Sequence, residues 1–440
     1  MLSFLVLIIL IMIVQQIKYS SDSEARITRN AETIAMMDQA IESVLLQAYE
    51  DLRSDGESSG EEGGDDAGGV PAGLGGDTGG ESAGPSDSKE DAWAKAQRTE
   101  MNGLQLRIFI QDEDSKFNIL SIVHEDEQQA DQAFEALVRV LEAFREGTAS
   151  EVASSDARAM AEAMREFMLR RDDQYSPRPD QSSYDDENPE MGMPQTLRDF
   201  SAIDPRLFPE HLFVDFRDEE DQFIHSISSF LTVFSSLNTI SGSASQNESA
   251  PEGESPQTEP SAADGRVNVN TAPPAVLNAL MDQRDVPIDF WEDIVEYRNE
   301  PQEDDEDVDP DDIPLDEFGE EQVNLQFFES FEGLAEMQDW EGMDPEVQEE
   351  LSGLLKVDSS VFSIYVTARK LTGRENIDAR GRPEDVERQE EESAGLVRTI
   401  RSVVWRKTND NGEAVIIPIL RWEALNYVPH QVYDFPDDRR

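Results

Sequence analysis

The chain has 440 residues, room for two or three domains, and sets 96 Asp and Glu against 36 Lys and Arg, a formal net charge of −60. That excess opposes binding to a phosphate backbone or to anionic lipid headgroups, which need cationic partners, and it favours a solvated, self-repelling surface. There is no Cys, hence no disulfide, zinc-thiolate site or thiol nucleophile, and His124, His211, His225 and His430 lack the spacing of a metal hydrolase.

The chain opens on "MLSFLVLIILIMIV". Leu2, Phe4, Leu5, Val6, Leu7, Ile8, Ile9, Leu10, Ile11, Met12, Ile13 and Val14 form a candidate membrane-inserted segment. At 1.5 Å per residue the run covers about 20 Å, short of the ~30 Å hydrocarbon core, so it is a marginal span. No basic residue precedes it and no small-x-small site follows, which argues against a cleaved secretory signal. Ile27, Ala31, Ile34, Ile41, Leu45, Ala48 and Leu52 then recur at helical spacing, with no Gly or Pro before Gly56. The pattern predicts one helix from residue 2 to about 53, roughly 75 Å long, apolar at its start and amphipathic after. A membrane anchor continuous with a packing helix fits better than a coiled-coil stalk behind a signal anchor. Lys18, Arg26 and Arg29 follow the apolar run, whereas an inside N-terminus places its basic residues before it. The expectation is therefore a start codon upstream of Met1, with a basic leader.

Residues 54–88 are Gly-rich, and residues 241–264 contain no large apolar side chain. Neither stretch offers enough apolar surface to offset ordering, so both read as linkers. Between them, Leu104, Leu106, Ile108 and Ile110 alternate up to a turn at Asp112-Glu113-Asp114-Ser115, and Phe117 and Ile119 return, a hairpin pattern. Helical stripes follow: Phe134, Leu137, Val138, Leu141 and Phe144, then Ala153, Ala157, Met160, Met164 and Phe167.

"DGRVNVNTAPPAVLNAL", residues 264–280, looks like a joint. Thr271 is placed to cap a helix, and Pro273 and Pro274 suit a first turn, where an N–H has no helical partner. Residues 289–300 supply a partner helix, and a small bundle ends near Val357. Residues 303–321 are densely acidic; such a run reads first as a solvated face. Residues 359–371, 395–407 and 414–422 are three β-rich runs, with Asn411-Gly412 in a turn. They and residues 104–122 can form one sheet, with helical modules between and the long first helix against it.

The joint has a near copy. Asp114-Ser115-Lys116-Phe117-Asn118-Ile119 matches Asp264-Gly265-Arg266-Val267-Asn268-Val269 as acid, small, base, apolar, Asn, apolar, and Asn270, Thr271 and Pro273 extend the second copy. The small residue makes the turn, the apolar pair anchors a short strand, and Asn bonds nearby backbone as the chain leaves.

"DEDSKFNIL", "VNVNTAPPAVL", "FLTVFSS" and the ending from "VFSIYVTAR" to "RSVVWRK", in that order, resemble the minor pseudopilin K family of type II secretion. The resemblance implies an α+β fold: a long N-terminal membrane and packing helix on a pilin-like antiparallel sheet, with SAM-like or helix-hairpin-helix-like modules inserted between strands. On that basis residues 1–53 are the anchoring helix, 54–88 a linker and 89–123 the first part of the core. Residues 124–240 are the first inserted module, 241–263 a linker, 264–358 the second module and 359–440 the completing strands. The implied function is structural: a subunit at the tip of the pseudopilus, aiding export across the outer membrane without turnover. The implied location is the inner membrane, single-pass, with the bulk of the chain periplasmic. Implied partners are the I- and J-type minor pseudopilins, the major pseudopilin, the inner membrane and secreted cargo, with no nucleic acid. Some members bind calcium, but residues 303–321 lack a D-x-D-x-D-G loop, so no metal ligand or cofactor is assigned. A prepilin leader ending in Gly is not found before the apolar run. The alternative is a helix-hairpin-helix DNA-binding protein of DNA uptake, disfavoured because residues 281–285 hold no Gly-x-Gly hairpin. A hydrolase is unsupported without G-x-S-x-G, and Trp291, Trp405 and Trp422 read as core.

Overall fold

The computed structural model describes residues 2–58, 86–123, 126–169, 196–218, 222–234, 266–300, 325–337, 339–371, 394–408 and 414–430. The linker at 241–264, the acidic run at 303–321, Asp264 and the Asn411-Gly412 turn lie outside the described residues.

One helix, α1 (Leu2–Ser58), carries the N-terminal periodicity in a single piece. From Met37 onward its apolar residues fall three or four apart, so Met37, Ile41, Val44, Leu45, Ala48 and Leu52 share one face and are buried. That face lies on a five-stranded antiparallel sheet of order β1-β2-β9-β10-β11: β1 (Gln97–Met101), β2 (Leu104–Asp112), β9 (Val361–Leu371), β10 (Ala394–Thr408) and β11 (Ala414–Leu425). Strand alternation supplies the other half of the contact. Leu104, Leu106, Ile108 and Ile110 of β2, and Phe362, Ile364, Val366 and Ala368 of β9, all point at the helix. Polar ties fix its position: Arg398 Nε donates to Asp38 Oδ1 at 2.7 Å, and Tyr49 Oη lies 2.7 Å from Ser402 Oγ.

Among the described residues no helix is long and apolar enough to cross a membrane, which corrects the expected single-pass inner-membrane anchor and the location built on it. The apolar run stops at Gln15 and is followed by Lys18, Asp22, Glu24 and Arg26. Within the described helix the apolar run covers about 20 Å against a ~30 Å hydrocarbon core, and the next turns are charged. Of the residues expected to insert, Met12, Ile13 and Val14 are exposed. The side chains of Leu2, Phe4, Leu5, Val6, Leu7, Ile8, Ile9, Leu10 and Ile11 lie outside those described.

The hairpin differs from the one expected. Leu104–Asp112 does not turn back onto Phe117; it pairs with β1 across Asn102-Gly103 and with β9 on its other side. Asn102 has φ 53° and Gly103 φ 75°, the two positive values that a tight two-residue hairpin needs for its twist to match the strands. The acids at 112–114 instead mark where the chain leaves the sheet. It returns at β9, and two helical units lie between.

The first unit holds α2 (Glu127–Ala143) and α3 (Ser154–Leu169), and the second holds α4 (Pro274–Leu280), α5 (Ile288–Tyr297) and α6 (Pro345–Leu354). Asp126 and Asp344 cap α2 and α6 by accepting from the N–H two residues on. The predicted stripes are buried at Phe134, Leu137, Val138 and Leu141 on α2 and at Ala157, Met160 and Met164 on α3, while Phe167 is half-buried and Ala153, ahead of α3, is exposed. Both units share one apolar core with Trp291, Phe290 and Trp405. Trp422, read as core, is 39% exposed on the edge strand β11.

Candidate functional site: a buried polar junction

Each copy of the repeated motif makes a two-residue strand that closes its own unit. β3 (Phe117–Asn118) pairs in parallel with β6 (Leu231–Thr232), β4 (Phe216–Arg217) and β5 (Phe223–Ile224) form a short antiparallel pair between them in sequence, and β7 (Val267–Asn268) pairs in parallel with β8 (Leu355–Lys356). The start and the end of each helical unit are therefore tied together at its base. Asn118 Oδ1 accepts from Leu120 N at 3.0 Å, and Asn268 Oδ1 accepts from Asn270 N at 2.9 Å. The same short-range bond turns the chain out of each strand, because an Asn side chain imitates a backbone carbonyl one peptide back. The two bases also touch, since Asn268 N donates to Asp114 O at 2.8 Å.

Thr271 does not cap α4. The N-cap is Pro273, with no side-chain bond, and Thr271 Oγ1 donates to Asp112 Oδ2 at 2.5 Å. The hydroxyl donates to a buried carboxylate, and the two N–H groups it would have capped are the ones that Pro273 and Pro274 lack. Asn270 holds Phe328 at both ends: its Oδ1 accepts from Phe328 N at 2.8 Å and its Nδ2 donates to Phe328 O at 3.0 Å. Arg266 is half-buried at the head of the second copy.

Around the motif the fold gathers residues that sequence reading did not single out. Glu113 is buried between Lys116 Nζ at 2.6 Å and Arg401 Nη2 at 3.0 Å, and it also accepts from Ser363 and Thr232. Burial pushes its carboxyl up, but Lys116 and Arg401 outweigh this and hold it down at about 2. The same burial pulls Lys116 down to about 8 against the pull of Glu113. Asp114 meets Lys356 Nζ at 2.9 Å and takes Ser360 N at 2.7 Å. Asp87 lies under Arg406, 2.6 Å from Nη2, while Arg406 Nη1 reaches Asp55 of α1 at 2.7 Å. Asp87 O accepts from Asn268 Nδ2 at 3.1 Å, which completes a path from the long helix to the second unit. A signal existed in the sequence: Arg398, Arg401, Arg406 and Lys407 punctuate a strand rich in Val, Ile and Trp, and three successive acids lie at the end of another.

Each unit has one further buried arginine directly after a helix. Arg145 donates to His211 O and His225 O, and Arg298 donates to Val269 O and Ala272 O. Burial pulls Arg145 down to about 10 and Arg298 to about 9.

Among the described residues one group of carboxylates, Asp55, Asp87 and Asp91, comes close enough to share a cation. The fit to calcium is poor. Arg406 already sits on two of the three, filling the place of the ion, and backbone Ser88 N occupies Asp91 Oδ2 at 2.8 Å.

No family model matches the chain, and no curated protein does. Among solved structures it is similar to a chain of the GspK-GspI-GspJ complex from the type 2 secretion system of enterotoxigenic Escherichia coli. The identity is 12% and the TM-score 0.39, over 78% of this chain and 87% of that one, a distant likeness. The arrangement at the junction ties the long helix, the sheet and the bases of both helical units together through buried ion pairs and hydrogen bonds.

Proposed function

We propose that this chain is a minor pseudopilin-like subunit, at the tip of a type II secretion pseudopilus, that aids assembly in protein export across the outer membrane. The observation that carries the reading is a long helix lying on an antiparallel sheet whose strands come from both sides of a helical block. The block leaves the sheet after Asp112 and rejoins it at Val361, and it packs on the sheet through Val361, Val403 and Trp405 while α1 packs against the cluster of Phe362, Ile364 and Val366. The motif residues that resemble the minor pseudopilin K family sit at the joints of that block. Its partners in this reading are I- and J-type minor pseudopilins, the major pseudopilin and exported cargo; turnover, cofactor and nucleic acid play no part.

On α1, Met12, Ile13, Val14, Ile17 and Ile27 are exposed and apolar, while burial begins near Thr33. A helix that buries its second half on its own sheet and leaves these apolar side chains exposed on its first half suits packing against helices of neighbouring subunits. The test is complementation of a secretion-deficient strain lacking this gene with Ile13→Asp/Ile17→Asp. Both positions are exposed, so the fold and abundance stay unchanged while secretion is lost. Normal secretion by that double variant rejects the reading.

A further inference from the structure

The four acids at the junction are not equivalent. Asp87 has Arg406, Glu113 has Lys116 and Arg401, and Asp114 has Lys356. Among the described residues Asp112 makes no ion pair, although it is buried. Its carboxylate rests on neutral donors: Asp114 N at 2.7 Å, Thr271 Oγ1 and Ser359 Oγ at 2.5 Å each, and Asn268 Nδ2 at 3.3 Å. Two of these, Thr271 and Asn268, belong to the base of the second helical unit, and Ser359 precedes β9, the strand that brings the chain back. One unpaired buried charge thus sits where sheet, departing chain and returning chain meet. Asn268 Nδ2 also donates to Ser359 Oγ at 2.7 Å, which orients that hydroxyl toward Asp112, whereas the Thr271 hydroxyl can turn and accept, so the site also accommodates a protonated acid.

We propose that Asp112 is a proton-operated latch: protonated, it lets the base of the second helical unit close on the sheet, and ionised, it loads that joint with a buried charge that has no ion pair of its own. This stands independently of the secretion reading. The groups facing Asp112 are Asp114 on its own loop, Asp87 from the segment before β1, Lys116 ahead of β3 and Lys356 on β8. Burial, then Asp114, raise the Asp112 carboxyl to about 6, against the hydroxyl donors and Lys356. With the folded value above the unfolded one, the closed state binds the proton more tightly. Its stabilisation is full below an unfolded value of about 3.9 and is lost as pH rises through about 6.

The test is urea unfolding of the full chain from about pH 5 to 8, wild type against Asp112→Asn, the neutral analogue of the protonated acid. The wild-type unfolding constant should rise with pH relative to the variant, by up to about 100-fold over the whole titration. A wild type to variant ratio that stays constant over this window overturns the latch. So does a pH-dependent component that survives Asp112→Asn and vanishes in Asp87→Asn. Should Asp112→Asn not fold, hydrogen-exchange protection of residues 267–272 in the wild type decides: greater protection at about pH 5.5 than at 7.5 supports the latch, and equal protection overturns it.

Discussion

Arg406 binds three parts of the chain at once: Asp55 on α1, Asp87 before β1, and Ser359 O at 3.0 Å ahead of β9. Its guanidinium also lies over the Phe362 ring at 4.8 Å. Removing it leaves Asp87, already pushed up to about 7 by burial, without its cation. Arg406→Ala should cost about 3–5 kcal/mol in urea unfolding, and adding Asp87→Asn should recover part of that loss, because the stranded charge and not the missing side chain dominates. Glu113 gives the opposite pH sign to Asp112. Its folded value is depressed to about 2, so its stabilisation is present above an unfolded value of about 4.3 and lost as pH falls through about 2. An acid titration followed by tryptophan fluorescence should show Glu113→Gln with less loss of stability between about pH 4 and 2 than the wild type.

At the scale of elements, the sheet depends on a turn and on a close approach. Gly103 sits at φ 75° in a two-residue hairpin loop, where a side chain is strained even though a Cβ would meet nothing within 4 Å. Gly103→Ala should therefore cost about 1 kcal/mol by backbone conformation alone, measurable as a shift in the urea midpoint. Gly56, near the end of α1, is held by contact instead: a Cβ there would lie 3.0 Å from Ala414 Cβ on β11. The helix face is a second dependence. Ile41 and Leu52 are fully buried against β-strand residues, and truncating either to Ala should cost about 2–5 kcal/mol, the transfer term plus a cavity.

For the whole molecule, a net charge of −60 on a folded chain means self-repulsion that salt relieves. The melting temperature should rise as ionic strength goes from about 0.01 M to 0.15 M, since the screening length falls from about 30 Å to 8 Å. The buried pairs at the junction are screened far less, so the Arg406→Ala penalty should change little over the same range. A matching rise in that penalty would mean the junction is open to solvent.

The amphipathic second half of α1, the strands β9, β10 and β11, the stripes of α2 and α3 and the doubling of the Asn motif were all legible in the sequence. Each is a local pattern, a periodicity or a repeated turn signal, which the next few residues already express. The partner of β2, the true hairpin at Asn102-Gly103, the fate of Thr271 and the gathering of Asp87, Asp112, Glu113, Arg401 and Arg406 were settled only by tertiary contact. Asp87 and Arg406 are far apart in the chain and meet because the sheet closes over a long excursion. A charge deep in a fold takes its meaning from which opposite charge arrives there, and no local pattern encodes that arrival. Hydropathy marked the first turns of α1 as apolar, but charged turns follow in the same unbroken helix, and among the described residues no helix is long and apolar enough to cross a membrane.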